Sequence, residues 1–220
     1  MATIIVAAGA SQRMAGINKL FAPLRDKPLL AWSVETCQEC SLISQIVLVL
    51  NDKDLEQGRE VKESRHWSKA SICPGGPRRQ DSVREGLKRI ADCQLVMIHD
   101  GGRPFLTPDL IQNGFRLASR TGSAVAAVPV KDTIKLVADD RLIGKTLERH
   151  NLWAAQTPQI FSRGTITTAY ERLTAEVTDD GAAVESLGAE VHLYMGDYRN
   201  IKVTTPEDLA LARIIAEGGL

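Results

Sequence analysis

Apolar positions fall in two rhythms along this chain. Thr3–Val6, Gln45–Leu50, Ala70–Cys73, Leu95–Ile98 and Ala124–Val128 are short, nearly continuous apolar runs rich in β-branched residues. Such runs suit strands buried on both faces. Between them lie longer stretches of helical character, Leu29 to about Cys40, Asp52 to about Glu63, Asp81 or Ser82 to about Ala91, and Thr107 to about Ser119. The last opens on Thr107-Pro108-Asp109, a hydroxyl cap followed by a proline at the first helical position. Strand–helix alternation of this kind predicts an α/β fold, a doubly wound, mostly parallel sheet in a single domain over 1–220.

The rhythm changes after Val128. Asp132–Val137 and Leu142–Leu147 are strand-like runs about a polar Ala138-Asp139-Asp140-Arg141 turn, which predicts a β-hairpin. A hairpin leaving a compact sheet exposes apolar and backbone groups, and a second subunit is the economical cover. The segment 131–150 is therefore expected to be a β-arm serving a homodimer. Asn151–Phe161 mixes aromatic and small residues without a clear period. A helix from about Thr165 to Glu176 follows. Thr178–Glu185 reads as a capped helix start in which capping and chemistry are equally open. Glu190–Met195 is a last strand-like run, and Thr205-Pro206-Glu207-Asp208 opens the closing helix.

Composition narrows the function classes. The 220 residues are 44% hydrophobic and 25% charged, enough to bury a full core. Lys+Arg and Asp+Glu are equal at 27 each, so no overall field draws in nucleic acid or an anionic membrane, and any phosphate recognition is local. No apolar run approaches the length of a bilayer span and the first run lacks a basic flank, so the expected location is the cytoplasm. The four cysteines suit a reducing compartment; Cys37-x-x-Cys40 has no second pair or nearby histidine, and a structural role is expected.

Candidate chemistry gathers where the apolar runs end. The first run delivers Ala7, Ala8 and Gly9, small residues that let backbone N–H groups approach a phosphate or a base, and Arg13 and Lys19 follow as a forked and a compact cation. This is neither a Walker loop nor a three-glycine dinucleotide fingerprint. The third run enters Pro74-Gly75-Gly76-Pro77-Arg78-Arg79-Gln80-Asp81-Ser82, a second glycine-rich loop ahead of a helix. The fourth enters His99-Asp100-Gly101-Gly102-Arg103-Pro104-Phe105. An aspartate at that end of a central strand lies where open α/β sheets bind ligands, and beside a triphosphate it implies Mg²⁺ or a ribose hydroxyl.

Taken in order, AAGASQRM, GGPRRQDSV, HDGGRPF, VKDTIK, LWAAQTPQ, TDDGAAVE and NIKVTTPEDLALA resemble the nucleotidyltransferase family with a GT-A-like Rossmann fold over nearly the whole chain. Within it, the chain is similar to the cytidylyltransferases of the non-mevalonate isoprenoid pathway. The resemblance implies cytidylyl transfer from CTP to methylerythritol phosphate with release of pyrophosphate, and Mg²⁺ as cofactor. It implies that Ala7, Ala8 and Gly9 hold CTP with Gly76, Ser82 and Gly101, and that Arg13 and Lys19 stabilise charge on the α-phosphate. Asp100 is implied at the metal and the second substrate, with Arg103, Thr157 and Lys202 on that substrate's side. Thr133 and Arg149 are implied to reach from the arm into the partner's site. The chain departs from the family pattern at Ser11, at Leu20-Phe21 and at Pro77. A sister enzyme acting on another polyol phosphate, such as ribitol 5-phosphate, and a non-catalytic nucleotide-binding module are the alternative readings. A nicotinamide dehydrogenase is disfavoured by the missing glycine fingerprint.

Overall fold

The computed structural model describes residues 1–9 and 18–219. The strands β1 (Ala2–Ala7), β4 (Gln45–Leu50), β5 (Ala70–Pro74), β6 (Leu95–Asp100) and β7 (Ser123–Pro129) occupy the five predicted apolar runs, and β10 (Trp153–Ser162) and β11 (Leu193–Met195) follow. Together they form a seven-stranded central sheet in the order β11-β7-β10-β6-β1-β4-β5. β1 pairs in parallel with β4 and β6, and β7 with β11.

Alternation within the strands divides the core into two layers. Ile5, Ala7, Ile46, Leu48 and Leu50 face one side with α1 (Leu29–Glu39) and α4 (Pro108–Thr121). Ile4, Val47 and Val49 face the other with α3 (Arg79–Leu87), α5 (Arg163–Arg172) and α6 (Asp180–Glu185). Side chains of successive strand residues point to opposite faces, so an unbroken apolar strand supplies both layers. The closing helix α7 (Pro206–Ala216) packs on a third, smaller cluster with the short strands β2 (Pro23–Leu24) and β3 (Lys27–Pro28). Its start carries the predicted capping box, in which the Thr205 hydroxyl accepts from Asp208 N–H at 3.3 Å and Asp208 accepts in return from Thr205 N–H at 2.9 Å.

Three sequence readings change. The surface helix begins as a 3₁₀ turn, Asp52–Asp54, before α2 (Leu55–Ser64). α3 carries Asp81 in its first turn as expected, accepting from Arg78 N–H at 3.3 Å, but it ends at Leu87, short of Ala91. The largest change is β10, which runs antiparallel between β6 and β7 through Asn151–Phe161, where the sequence shows no strand rhythm. Proline cannot donate to a ladder and so argues against a central strand. Here the register shifts between Ala155 and Gln159, around Pro158, and pairing resumes beyond it.

The hairpin forms as β8 (Lys135–Val137) against β9 (Ile143–Thr146), a separate two-stranded sheet. All four cysteines are free thiols, Cys37 and Cys73 buried, and burial raises the thiol pKa of both. That is the inert condition expected of structural cysteines. Among the described residues no helix is long and apolar enough to cross a membrane.

Candidate active site

Parallel strands β1, β5 and β6 end on the same edge of the sheet, and their following loops enclose a cleft of about 260 Å³. Ala7, Ala8 and Gly9 line it from the first loop, Gly76 and Ser82 from the second, and Asp100 and Gly102 from the third. Lys19 and Lys202 bring cations to its wall. Arg13, Ser11 and the rest of that first loop lie outside the described residues.

Local hydrogen bonds explain why the loops hold this shape. Ser82 Oγ accepts from Gly76 N–H at 3.2 Å and lies 3.2 Å from the Arg78 carbonyl oxygen, clamping the second loop onto the start of α3. A Cβ at Gly76 would sit 2.4 Å from Asp81 Cβ, so the turn needs glycine for close approach. Lys19 Nζ donates to the Val203 carbonyl at 2.8 Å, and Val203 N–H donates to the Gly102 carbonyl at 2.8 Å. The chain end is thereby fastened to the third loop, and it delivers Lys202 beside Asp100.

Asp100 is the electrostatic hub. Its Oδ1 accepts from Arg79 Nε at 2.9 Å and its Oδ2 from Lys202 Nζ at 2.6 Å. Burial raises its pKa, but the two cations outweigh that and hold the carboxyl well below the usual carboxylate range. Arg79 also donates to Asp180 Oδ1 and Oδ2 at 3.0 and 2.7 Å, and Tyr170 OH donates to Asp180 Oδ1 at 2.5 Å. Beyond the Arg79–Asp100–Lys202 bar lies a second cleft of about 210 Å³, lined by the same three residues with Arg103, Gln156, Thr157, Gln159 and Asp179.

Behind this hub His99 is fully buried. Its Nε2 lies 3.0 Å from the Arg103 carbonyl oxygen, which can only accept, and its Nδ1 lies 3.0 Å from Thr157 Oγ1, which itself accepts from Asp100 N–H at 3.0 Å. A neutral ring protonated on Nε2 satisfies every one of these groups. Burial pushes the imidazole pKa down to about 4.

The predicted residues separate into three places. Ala7, Ala8, Gly9, Lys19, Gly76, Ser82, Asp100 and Lys202 line the larger cleft; Arg103 and Thr157 line the smaller one. Gly101 is buried behind the cleft, and a Cβ there would meet Ala7 Cβ at 2.8 Å and Leu30 Cδ1 at 3.1 Å; it is a packing glycine rather than a lining one. Thr133 and Arg149 are exposed on and beside the arm and line neither cleft, and Arg149 Nη1 donates to the Lys131 carbonyl at 2.6 Å. Arg79 and Asp180 join the site without a sequence signal that separates them from their neighbours. Arg78 and Arg79 are neighbours of one type, yet Arg78 is exposed and pairs with Asp81, while Arg79 turns inward.

Magnesium fits only in a limited way. Among the described residues no group of three or more His, Cys, Asp or Glu side chains could hold a metal ion. Both oxygens of Asp100 are already paired. This donor set suits an ion whose ligands are mostly triphosphate oxygens and water, with one carboxylate from the protein.

Comparisons with known proteins agree along the whole chain. Residues 1–217 match the family model described as 2-C-methyl-D-erythritol 4-phosphate cytidylyltransferase. A curated protein of that name from Dehalococcoides mccartyi (strain CBDB1) is 46% identical over 217 residues, covering 98% of this chain and 96% of the relative. One from Clostridium botulinum (strain Loch Maree / Type A3) is 42% identical over 220 residues, with 97% and 96% covered. Among solved structures, 4-diphosphocytidyl-2C-methyl-D-erythritol synthase from Anaerococcus prevotii DSM 20548 superposes with a TM-score of 0.88 at 28% identity, covering 98% of this chain and 95% of that one. The 2-C-methyl-D-erythritol 4-phosphate cytidylyltransferase of Thermus thermophilus gives 0.82 at 29% identity, with 98% of each chain covered.

Proposed function

The chain belongs to the 2-C-methyl-D-erythritol 4-phosphate cytidylyltransferase family, and from that premise we infer how its clefts divide the reaction. The enzyme transfers cytidylyl from CTP to methylerythritol phosphate and releases pyrophosphate, a step of isoprenoid biosynthesis. A phosphate oxygen of the acceptor forms a bond to the α-phosphorus of CTP. The bond from that phosphorus to the bridging oxygen breaks, and its electron pair leaves with pyrophosphate. No covalent enzyme intermediate is needed, so positioning and electrostatics carry the catalysis.

In our reading CTP occupies the larger cleft, with its phosphates against Ala7, Ala8, Gly9 and Lys19, and methylerythritol phosphate enters beside Thr157, Arg103 and Lys202. The observation that carries this reading is the pair of clefts meeting at one Arg79–Asp100–Lys202 bar. Lys19 and Arg13 hold the charge that builds on the α-phosphate. Asp100 would be the protein group that holds Mg²⁺, which would supply neutralisation of phosphate charge. Gly101 acts by packing the floor under Ala7.

The arm points to a homodimer. Leu136, Val137, Leu142 and Ile143 are each more than half exposed, which a partner chain would cover. Thr133 and Arg149 then serve the partner's acceptor site rather than their own. The protein would work in the cytoplasm, where its substrates are soluble.

The test is pyrophosphate release with each of the four nucleoside triphosphates and either methylerythritol phosphate or ribitol 5-phosphate, with and without Mg²⁺. Release confined to CTP with methylerythritol phosphate is expected. Release with ribitol 5-phosphate would move the acceptor, and release unaffected by chelation would remove the metal. Sedimentation at the 24.0 kDa monomer mass would sink the dimer.

A further inference from the structure

The Arg79–Asp100–Lys202 bar does not end at Arg79. Its two Nη atoms grip both oxygens of Asp180, which is fully buried and also receives the Tyr170 hydroxyl. A continuous series of hydrogen bonds, Tyr170–Asp180–Arg79–Asp100–Lys202, therefore runs from the core between α5 and α6 to the partition between the clefts. Only its last member, Lys202, is substantially exposed, at 42% of its side chain.

We propose that Asp180 and Tyr170, which line neither cleft, are positioning residues that set Lys202 through Arg79 and Asp100. The guanidinium offers five N–H donors; its two terminal nitrogens face Asp180 end-on, and Nε meets Asp100 from the side. With Asp180 in place, the two-pronged pair is spent there and only Nε reaches Asp100, which keeps Oδ2 for Lys202. With Asp180 neutral, the fork gains more by turning its Nη pair onto Asp100. Lys202 then competes for both oxygens, and its long side chain regains rotameric freedom.

The two cations and two carboxylates of this series sum to zero formal charge, so it adds no net attraction for a triphosphate. Its effect belongs in turnover rather than in CTP affinity. Asp180 also stands in the first turn of α6, where an acid favours the helix dipole. That role alone would change stability and leave the turnover of folded enzyme untouched.

The proposal rests on the activity assigned above, and two readouts separate the claims. Asp180→Asn and Tyr170→Phe would be prepared in the full chain and compared by kcat, KM for both substrates, CTP binding by calorimetry and urea unfolding. Asp180→Asn is expected to lower kcat on the order of 10- to 100-fold, the scale of a small misplacement, while leaving the series at +1, so that CTP Kd stays the same or tightens and does not weaken. Tyr170→Phe removes one hydrogen bond and keeps the charges, so a loss of roughly threefold is expected. Arg79→Lys cannot bridge both carboxylates; it should fall like Asp180→Asn, and the double variant should fall little further. The Nε–H resonance of Arg79 in ¹⁵N spectra reads the tether without any substrate and should shift in Asp180→Asn and less in Tyr170→Phe. Wild-type kcat in folded Asp180→Asn, or an unmoved Arg79 resonance, would overturn the proposal. If Asp180→Asn fails to fold, Tyr170→Phe decides, with unchanged kcat and resonance counting against it. A wild-type protein inactive with CTP and methylerythritol phosphate would overturn the activity reading and leave the resonance to judge the tether.

Discussion

At the cleft, Asp100 is 6% exposed and both of its oxygens are matched by cations of its own chain. In the arm, Leu142 is 67% exposed and Ile143 57%, and among the described residues β8 and β9 pair only with each other. Charge buried at strand ends is costly unless every oxygen finds a partner, so the cleft is settled within one chain and its geometry is fixed. Apolar surface on a two-stranded ribbon has no core of its own to join, and a partner is the proposed cover. One region therefore pairs its charges internally, whereas the other leaves apolar side chains exposed.

The sharpest way to break this contrast is to remove a cleft cation. Lys19→Ala should lower kcat by about 10²-fold or more, the scale for losing one preorganised donor to transition-state charge. Pyrophosphate release measures it, and a variant with normal turnover would show that the cleft's cations do not act on the chemistry.

A second test concerns the buried support behind Asp100. His99 has its folded pKa near 4, below the ordinary value of 6.5, so on acidification the unfolded chain takes up the proton first. Its contribution to stability is complete above pH 6.5 and is lost as pH falls towards 4, by roughly 3 kcal/mol. Urea midpoints between pH 7 and 5 should drop in the native protein and drop less in His99→Gln. Equal slopes in the two would refute the assignment.

Gly101→Ala comes next. Its methyl would press on Ala7 Cβ at 2.8 Å, beneath the first loop, and should cost about 1–3 kcal/mol of overpacking. A midpoint unchanged in urea would mean the floor is looser than the contact implies. The smallest effect on the folded subunit is expected in the arm. Leu142→Asp should change subunit stability by no more than about 0.5 kcal/mol, as surface substitutions do, while releasing monomer in sedimentation. Large destabilisation of the isolated subunit would place the arm inside the cooperative fold and erase the contrast.

Much of the cleft was legible because its signals are local. Ala7-Ala8-Gly9 follows a β-branched run, and Asp100 follows another, so chain order alone sets both at strand ends. β10 was not legible, because Pro158 and the polar Gln156, Thr157 and Gln159 look unlike a central strand. Those polar groups are answered from elsewhere in the chain, Gln159 by Asp179 and Gly181 and Gln156 by Asp197. Arg79 was hidden for the same reason, since its inward turn depends on Asp100 and on Asp180, 101 residues away along the chain.

By itself the sequence determined what depends on neighbours along the chain: the buried strands, the caps at Thr107 and Thr205, the small-residue loops and the hairpin. These follow from periodicity and backbone sterics, which act over a few residues. Only the tertiary structure decided which arginine meets Asp100, that Gly101 packs rather than lines, and that an antiparallel strand joins the two halves of the sheet. Those outcomes depend on which distant groups are brought within hydrogen-bonding reach, and separation along the chain carries no record of that.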